Sequence, residues 1–293
     1  MLKSLKYNWK YIYSTSNKIA TIVFSLWGFI TLVTPTDGML NSIENWIVRI
    51  LIAILILAFI YVTIIVTVTI YSNRKKEIKV FNLHSNHSLY VKYGDLFNCG
   101  VPDERKNIAF AGNRCFDTIV DDDLVGSSKI HGIALNRIYA NGERNQETVN
   151  REIQKNLSLH GYKKETIGKT DKRSGNLLRY ELGSVAEING LQNEKYFVLG
   201  LTYFDKELRA HVDVDDYIKA INSLIKYISD RSQGFPVYMP VIGTGGADAG
   251  YVNDLIVFMI KTIELYKDKI DCDVYIVVSE KEEKLGLMNI KML

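Results

Sequence analysis

Val237-Tyr-Met-Pro-Val-Ile-Gly-Thr-Gly-Gly-Ala-Asp-Ala-Gly-Tyr251 starts as a β-branched, apolar run and breaks into a glycine-rich turn. Val237–Ile242 is expected to form a strand, because Val, Tyr and Ile suit a pleated, half-buried surface. Gly243, Gly245, Gly246 and Gly250 then open the backbone, and an apolar pattern of helical period follows from Val252 to Lys267. A strand that turns through glycines into a helix can offer an anion both backbone amides and a partial positive charge. The same turn is a plain connection in many folds, so its meaning depends on what surrounds it.

The surroundings alternate. Leu89–Tyr93, Ile108–Ala111, Leu177–Glu181, Tyr196–Leu201 and Val274–Ser279 read as strands, and Lys129–Tyr139, Thr148–His160 and Val214–Asp230 as helices. In the last helix Ile218, Ile221, Leu224, Ile225 and Ile228 recur at three and four, predicting one buried stripe. Strands alternating with helices predict an α/β domain whose mainly parallel sheet is covered on both faces. Gly161 to Gly175, rich in Lys, Thr and Gly, reads as a surface loop or hairpin insertion.

Two further segments carry small residues at strand ends. Gly94-Asp95-Leu96 closes an early strand, and Ala111-Gly112-Asn113 closes the next, followed by Gly126-Ser-Ser-Lys-Ile-His131 at the start of a helix. Together with the 243–250 turn they would form a crevice at the carboxyl edge of the sheet, where open α/β sheets bind ligands. Several candidates have two readings. His131 could donate to a phosphate or a distal ligand group, or be a helix-surface histidine. Asp121-Asp122-Asp123 could bind a cation or be a solvated loop. Asp248 could hold its loop through backbone amides or meet a positive end of a ligand. Tyr203, Phe204 and Tyr251 could stack on a base or belong to the core.

The first quarter of the chain is different in kind. Ile19–Val33 is apolar apart from Thr, Ser and Gly, and Ile50–Tyr71 holds no charge over 22 residues. At about 1.5 Å per residue the second run spans a ~30 Å hydrocarbon layer. The expected organisation is a basic N-terminus (1–18), a transmembrane hairpin (19–72) turning at Thr34–Gly38, a short linker (73–79) and a soluble domain (80–293). Lys3, Lys6, Lys10 and Lys18 precede the first run and Arg74, Lys75, Lys76 and Lys79 follow the second, while Asp37 and Glu44 lie between. The positive-inside rule then places both termini and the soluble domain in the cytoplasm, anchored to the inner membrane. Thr63 and Thr67, one turn apart, could line a helix interface or a wet pore.

Charge and cysteines exclude other classes. Residues 1–79 hold nine Lys/Arg and three Asp/Glu of the totals of 36 and 33, leaving 27 against 30 for residues 80–293. The basic character belongs to the membrane flanks and gives no argument for nucleic acid. Cys99, Cys115 and Cys272 are scattered, with no C-x-x-C pair, as in a reduced compartment and without a metal-ligand pattern.

Gly94-Asp95-Leu96, Ala111-Gly112-Asn113 and Ile242-Gly-Thr-Gly-Gly246, in that order, resemble the motifs of the macro domain, an ADP-ribose-binding module, over roughly Lys79 to Ser279. The resemblance implies a macro-domain-like three-layer α/β/α sandwich following two N-terminal transmembrane helices. It places Asp95 and Leu96 near the adenine end, Asn113 beside the distal ribose, and Ser127, Ser128 and His131 in the first loop. Gly243, Thr244, Gly245, Gly246, Ala247 and Asp248 would wrap the diphosphate. Departures are visible: the adenine-binding acid falls near Lys106, with Asp103 and Glu104 just upstream, the first loop is bulkier, and Ala247-Asp248-Ala249 lengthens the second. They imply a modified or extended ADP-ribose as ligand, no resident cofactor, no metal and no catalytic residue. A hairpin before such a domain is similar to the membrane-spanning macro-domain effectors of Thoeris anti-phage defence. In that family a TIR-domain partner makes an ADP-ribose-derived signal, and the effector, as a homo-oligomer, compromises the membrane. The alternatives are a membrane-tethered ADP-ribosyl hydrolase and a plain anchored scaffold.

Overall fold

The computed structural model describes residues 8–33, 45–74, 76–245, 249–285 and 289–293. Gly246, Ala247, Asp248 and the expected turn at Thr34–Gly38 lie outside these. The chain divides into two compact units, one ending at Lys76 and the other beginning at Glu77.

The N-terminal unit is a pair of helices, α1 (Trp9–Val33) and α2 (Trp46–Arg74), packed on one another. A polar contact joins them: the Tyr61 hydroxyl donates to Asn17 Oδ1 at 2.6 Å. Thr63 and Thr67 donate to the carbonyls of Phe59 and Thr63, each at 2.9 Å, so their hydroxyls are satisfied within the helix. Leu51, Leu55, Phe59 and Val62 are all more than half exposed, an arrangement that suits an apolar surrounding. Among the described residues, Trp46–Ser72 is the one helix long and apolar enough to cross a membrane, so on this criterion the expected pair of spans reduces to one. All three tryptophans of the chain, Trp9, Trp27 and Trp46, fall in this unit.

The second unit runs β1 (Glu77–Asn82), β2 (Ser88–Tyr93), β3 (Lys106–Asn113), α3 (Ile130–Tyr139), α4 (Gln146–Leu159), β4 (Lys164–Thr166), β5 (Leu178–Tyr180), β6 (Val185–Asn189), β7 (Glu194–Phe204), β8 (Ala210–His211), α5 (Val214–Arg231), β9 (Val237–Pro240), α6 (Val252–Leu265), β10 (Val274–Val278) and α7 (Glu280–Leu285). The main sheet has the order β1-β2-β10-β9-β3-β7-β6, with β8 paired to β7. Its five inner strands are parallel, in registers such as Val274 with Leu89, Val274 with Val237 and Ile108 with Tyr196. The edges β1 and β6 are antiparallel.

Alternation along each inner strand sends side chains to two cores. On β3, Ala109 joins the core under α5 and α6, while Ile108 and Phe110 join the core under α3 and α4. The three layers expected from the sequence are therefore present. On α5, Ile221, Leu224, Ile225 and Ile228 are sealed, but Ile218 is partly exposed and does not belong to the predicted stripe. Tyr217, Ala220 and Ile221 around it are buried, so the buried face passes through Tyr217 and leaves Ile218 beside it.

The segment from Gly161 to Gly175 belongs to a hairpin, β4 pairing with β5, and one of its residues departs sharply from the expectation of a surface loop. Lys172 is 0% exposed and Asp117 1% exposed, and Lys172 Nζ donates to Asp117 Oδ2 at 2.6 Å. A polar run of sequence hides this because a buried ammonium is tolerated only where a distant carboxylate meets it.

Leu224→Ala, in the middle of the α5 stripe, is expected to destabilise the folded chain by about 2–5 kcal/mol. Chemical denaturation of the detergent-solubilised protein, followed by tyrosine emission, measures it.

Candidate functional site

Parallel pairing puts the ends of β2, β10, β9, β3 and β7 along one edge of the sheet. β3 and β9 are paired through Asn107 with Val237 and Ile108 with Tyr238, so Asn113 and the turn after β9 follow neighbouring strands. The turn after β9 is held from three sides. The Tyr217 hydroxyl of α5 donates to the Ile242 carbonyl at 2.8 Å, Thr244 Oγ1 donates to the Val241 carbonyl at 2.9 Å, and the Ala249 amide closes onto the Gly243 carbonyl at 3.0 Å. Gly243 has φ +98°, and a Cβ there would stand 2.9 Å from the Tyr217 ring and 3.2 Å from Leu255. Only glycine fits. At Gly245 a Cβ would meet nothing within 4 Å, so its backbone faces open space. Helix α6 begins just beyond, and its first amides have no partner within the helix.

On the far side of Asn113 lies the first turn of α3. The His131 ring packs over β3, its Nδ1 and Cε1 3.2 Å from where a Cβ on Gly112 would be, and 5.9 Å from the Phe110 ring. It is buried, its Nε2 has no hydrogen-bond partner among the described residues, and burial pushes its pKa down to about 4. His131 is thus a neutral imidazole beneath the candidate site, not a helix-surface histidine. The loop leading to it is built by acids: Asp122 Oδ1 accepts from the Ser127 amide at 2.6 Å, and Asp121 Oδ1 accepts from the Asp123 and Leu124 amides. Asp121 and Asp122 hold backbone rather than a cation, and Asp123 pairs with Arg173 at 3.1 Å. Ser127 and Ser128 are exposed at the tip.

At the end of β2, Asp95 caps a short 3-10 turn, accepting from the Phe97 amide at 3.0 Å and the Asn98 side chain at 2.8 Å. Leu96 is buried in the core under α3 and α4. Both stand at the end of β2, separated from β3 and Asn113 by β10 and β9. The structure therefore places His131 against the end of β3 that carries Asn113, the 243–245 turn after the neighbouring strand β9, and Asp95 and Leu96 two strands further along the same edge. Tyr203 and Phe204 are half-buried where β7 ends, and Tyr251 is 83% exposed at the N-terminus of α6.

Arg114 and Arg179 are residues the sequence motifs did not single out. Arg114 Nε donates to the Tyr180 carbonyl at 2.9 Å, and the Arg179 guanidinium lies 5.7 Å from the Tyr203 ring. Burial, then the charge of Arg179, pulls the pKa of Arg114 down, while Arg179 itself pairs with Glu165 at 3.6 Å. Their link is the pairing of β5 with the turn after β3, a contact far apart in sequence. A separate cleft of about 370 Å3, lined by Glu77, Lys92, Arg105, Tyr238 and Tyr275 among others, contains none of the expected site residues. Tyr90, Tyr275 and Tyr238 stack across three strands there, with ring centroids 4.9 and 4.6 Å apart.

An α/β/α sandwich with glycine-rich and serine-bearing loops at one sheet edge, around a strand-end asparagine, defines a macro-type domain. The sequence model of the family described as Thoeris protein ThsA, Macro domain, matches residues 89–279. This chain belongs to that family. It is 28% identical over 187 residues to the Thoeris protein ThsA of Bacillus amyloliquefaciens (strain Y2), covering 61% of this chain and 57% of that protein. The chain thus matches little more than half the length of that relative. Among solved structures it is similar to the Oceanobacillus iheyensis macrodomain with MES bound (TM-score 0.46, 14% identity, covering 74% of this chain and 95% of that one). It is also similar to the same macrodomain with ADP (TM-score 0.44, 14% identity, 72% and 92% covered).

Two outcomes follow from the geometry. Gly243→Ala is expected to cost about 1–2 kcal/mol, from its positive φ and the Tyr217 contact, while Gly245→Ala stays within about 0.5 kcal/mol of wild type; denaturation curves separate them. A folded His131 pKa near 4 lies below the unfolded value near 6.5. The unfolded chain therefore binds the extra proton in that window, and stability is full above it and falls as pH drops through it, by on the order of 3 kcal/mol in all. His131→Leu should remove that share, so the wild-type-minus-variant difference in unfolding free energy shrinks as the solution is acidified.

Proposed function

We propose that this chain is an effector of Thoeris anti-phage defence whose macro-type unit binds an ADP-ribose derivative made by a TIR-domain partner. Binding drives oligomerisation or rearrangement, and the N-terminal helices, both spanning the inner membrane with the termini cytoplasmic, then disrupt the bilayer. Residues 1–18, 19–72, 73–79 and 80–293 divide into basic leader, hairpin, linker and nucleotide-binding domain. The observation that carries the reading is the turn at 241–245. It is buttressed from beneath by Tyr217 and closed by Ala249, yet its Gly245 backbone faces open space next to a helix N-terminus. Main-chain amides so arranged grip a diphosphate without needing Lys or Arg. Asp95 and Leu96 would lie toward the adenine, Asn113 beside the distal ribose, and Ser127, Ser128, His131, Gly243, Thr244, Gly245, Gly246, Ala247 and Asp248 around the phosphates and distal group.

Binding rather than turnover is favoured by the state of the titratable groups next to Asn113. Asp117 is committed to Lys172, and His131 is sealed and neutral. Neither is free to activate a water. A ligand shifts an assembly equilibrium only by its differential affinity for the two states, so signal and assembly must be measured together.

Calorimetry with ADP-ribose and its conjugates, chromatography of the ligand after incubation, and dye release from liposomes carrying the full chain test the proposal. Expected are saturable binding, an unchanged ligand, and leakage that appears with the ligand. Gly245→Val, which has room in the free protein, is expected to lower affinity at least tenfold with little change in melting temperature. Release of ADP-ribose from a conjugate would make the chain a hydrolase, and binding without any leakage or change of assembly would end the effector reading.

A further inference from the structure

We propose that the buried Lys172–Asp117 pair is a positioning element for nucleotide recognition, acting through Asn113; this rests on Asn113 being the distal-ribose contact. The Asn113 side chain is 4% exposed and one end of its amide is already fixed, since Oδ1 accepts from the Cys115 amide at 3.0 Å. Burial raises the pKa of Asp117, four residues further on, and the Lys172 charge works against that rise. Asp117 in turn is fully engaged: Oδ2 accepts from Lys172 Nζ at 2.6 Å and Oδ1 from the Asn176 amide at 2.7 Å. Lys172 Nζ also donates to the Asn176 carbonyl at 2.8 Å and stands 5.6 Å from the Phe204 ring.

The chain around the pair is built to keep it. Asn176 Nδ2 donates to the carbonyls of Cys115 and Phe116 and to Asn150 Oδ1, so the turn after Asn113 is tied to the hairpin and to α4. Phe116 is held at φ +51°, a left-handed conformation that costs a bulky residue energy and persists only where its surroundings over-determine it. Gly175, at φ +82°, passes so close that a Cβ would lie 2.3 Å from Asp117 Oδ1.

An amide can be turned end for end in the same space. Asn113 can present its N–H or its carbonyl to a ribose hydroxyl, and the Cys115 amide, by taking Oδ1, decides which. Asp117 and Lys172 hold that amide in place through Asn176, whose backbone they bind and whose side chain grips the Cys115 and Phe116 carbonyls. A buried ion pair contributes little stability compared with well-packed apolar residues of similar size, so its presence here points to geometry rather than to stability. The hairpin that the sequence offers as a loop thereby sets the direction of the recognition group.

The test is a double-mutant cycle on the full chain, with ADP-ribose as the probe and calorimetry as the readout. Asp117→Leu together with Lys172→Met removes the pair that holds the turn while keeping the core filled. Expected are a melting temperature within a few degrees of wild type, an affinity reduced at least tenfold, and no further loss when Asn113→Ala is added. A pair variant that folds and binds like wild type overturns the proposal. So does a loss that adds to that of Asn113→Ala, because it would then act elsewhere than through that amide. Should the apolar pair not fold, Asp117→Asn with Lys172→Gln, which keeps shape and polarity without charge, enters the same cycle, and wild-type binding or an additive loss overturns the proposal there too. Failure of the wild type itself to take up ADP-ribose overturns the nucleotide reading and this proposal with it. Binding that survives replacement of the pair overturns this proposal alone.

Discussion

Parallel strands cannot be joined by tight turns, and that constraint organises the second unit. Each return from the end of one inner strand to the start of the next must cross a face of the sheet. Helices lie in the crossings from β3 to β7, β7 to β9 and β9 to β10, while β2 reaches β3 through a loop with one 3-10 turn, and every inner strand ends on the same side. Asn113, the 241–245 turn and the Asp95 cap are neighbours only because β3, β9 and β2 all finish there. The close packing that follows explains the glycines. Gly112 lets the His131 ring lie on β3, and Gly243 lets α5 and α6 approach the turn between them.

Most of this architecture was legible in the sequence, for a physical reason. Inner strands and the helices over them carry their period in contiguous residues, so Leu89–Tyr93, Val274–Ser279 and Val214–Asp230 fall within a residue or two of β2, β10 and α5. Edge elements left weaker traces. β6 and β1 are short and antiparallel, and charged or amide residues (Glu187 and Asn189; Glu77, Lys79 and Asn82) interrupt them, so neither reads as an apolar run. The three loops of the candidate site were visible because glycine and small residues at strand ends have few other uses. What escaped was everything held by long-range pairing. Tyr217 beneath the turn, Arg114 beside Arg179, and Lys172 within reach of Asp117 are each joined across many residues of chain, and no local pattern announces them.

Polar groups in the N-terminal unit obey the same accounting in a different surrounding. The Asn17–Tyr61 contact joins α1 to α2 by a hydrogen bond, and the threonine hydroxyls of α2 are satisfied by its own carbonyls. Backbone and side-chain donors that find partners inside the pair cost nothing further when water is excluded. Asn17, Tyr61, Thr63 and Thr67 are therefore compatible with an apolar layer without implying a wet path.

The placement of the indole rings has an optical consequence. Trp9, Trp27 and Trp46 all belong to the helical pair, while the sheet unit carries no tryptophan and many tyrosines, three of them in a stacked column. Red-edge excitation thus interrogates the helices alone, and phenol emission reports mainly on the sheet. One unlabelled polypeptide carries two spectrally distinct probes, so an event that begins in one half and ends in the other can be timed from both sides in a single stopped-flow trace.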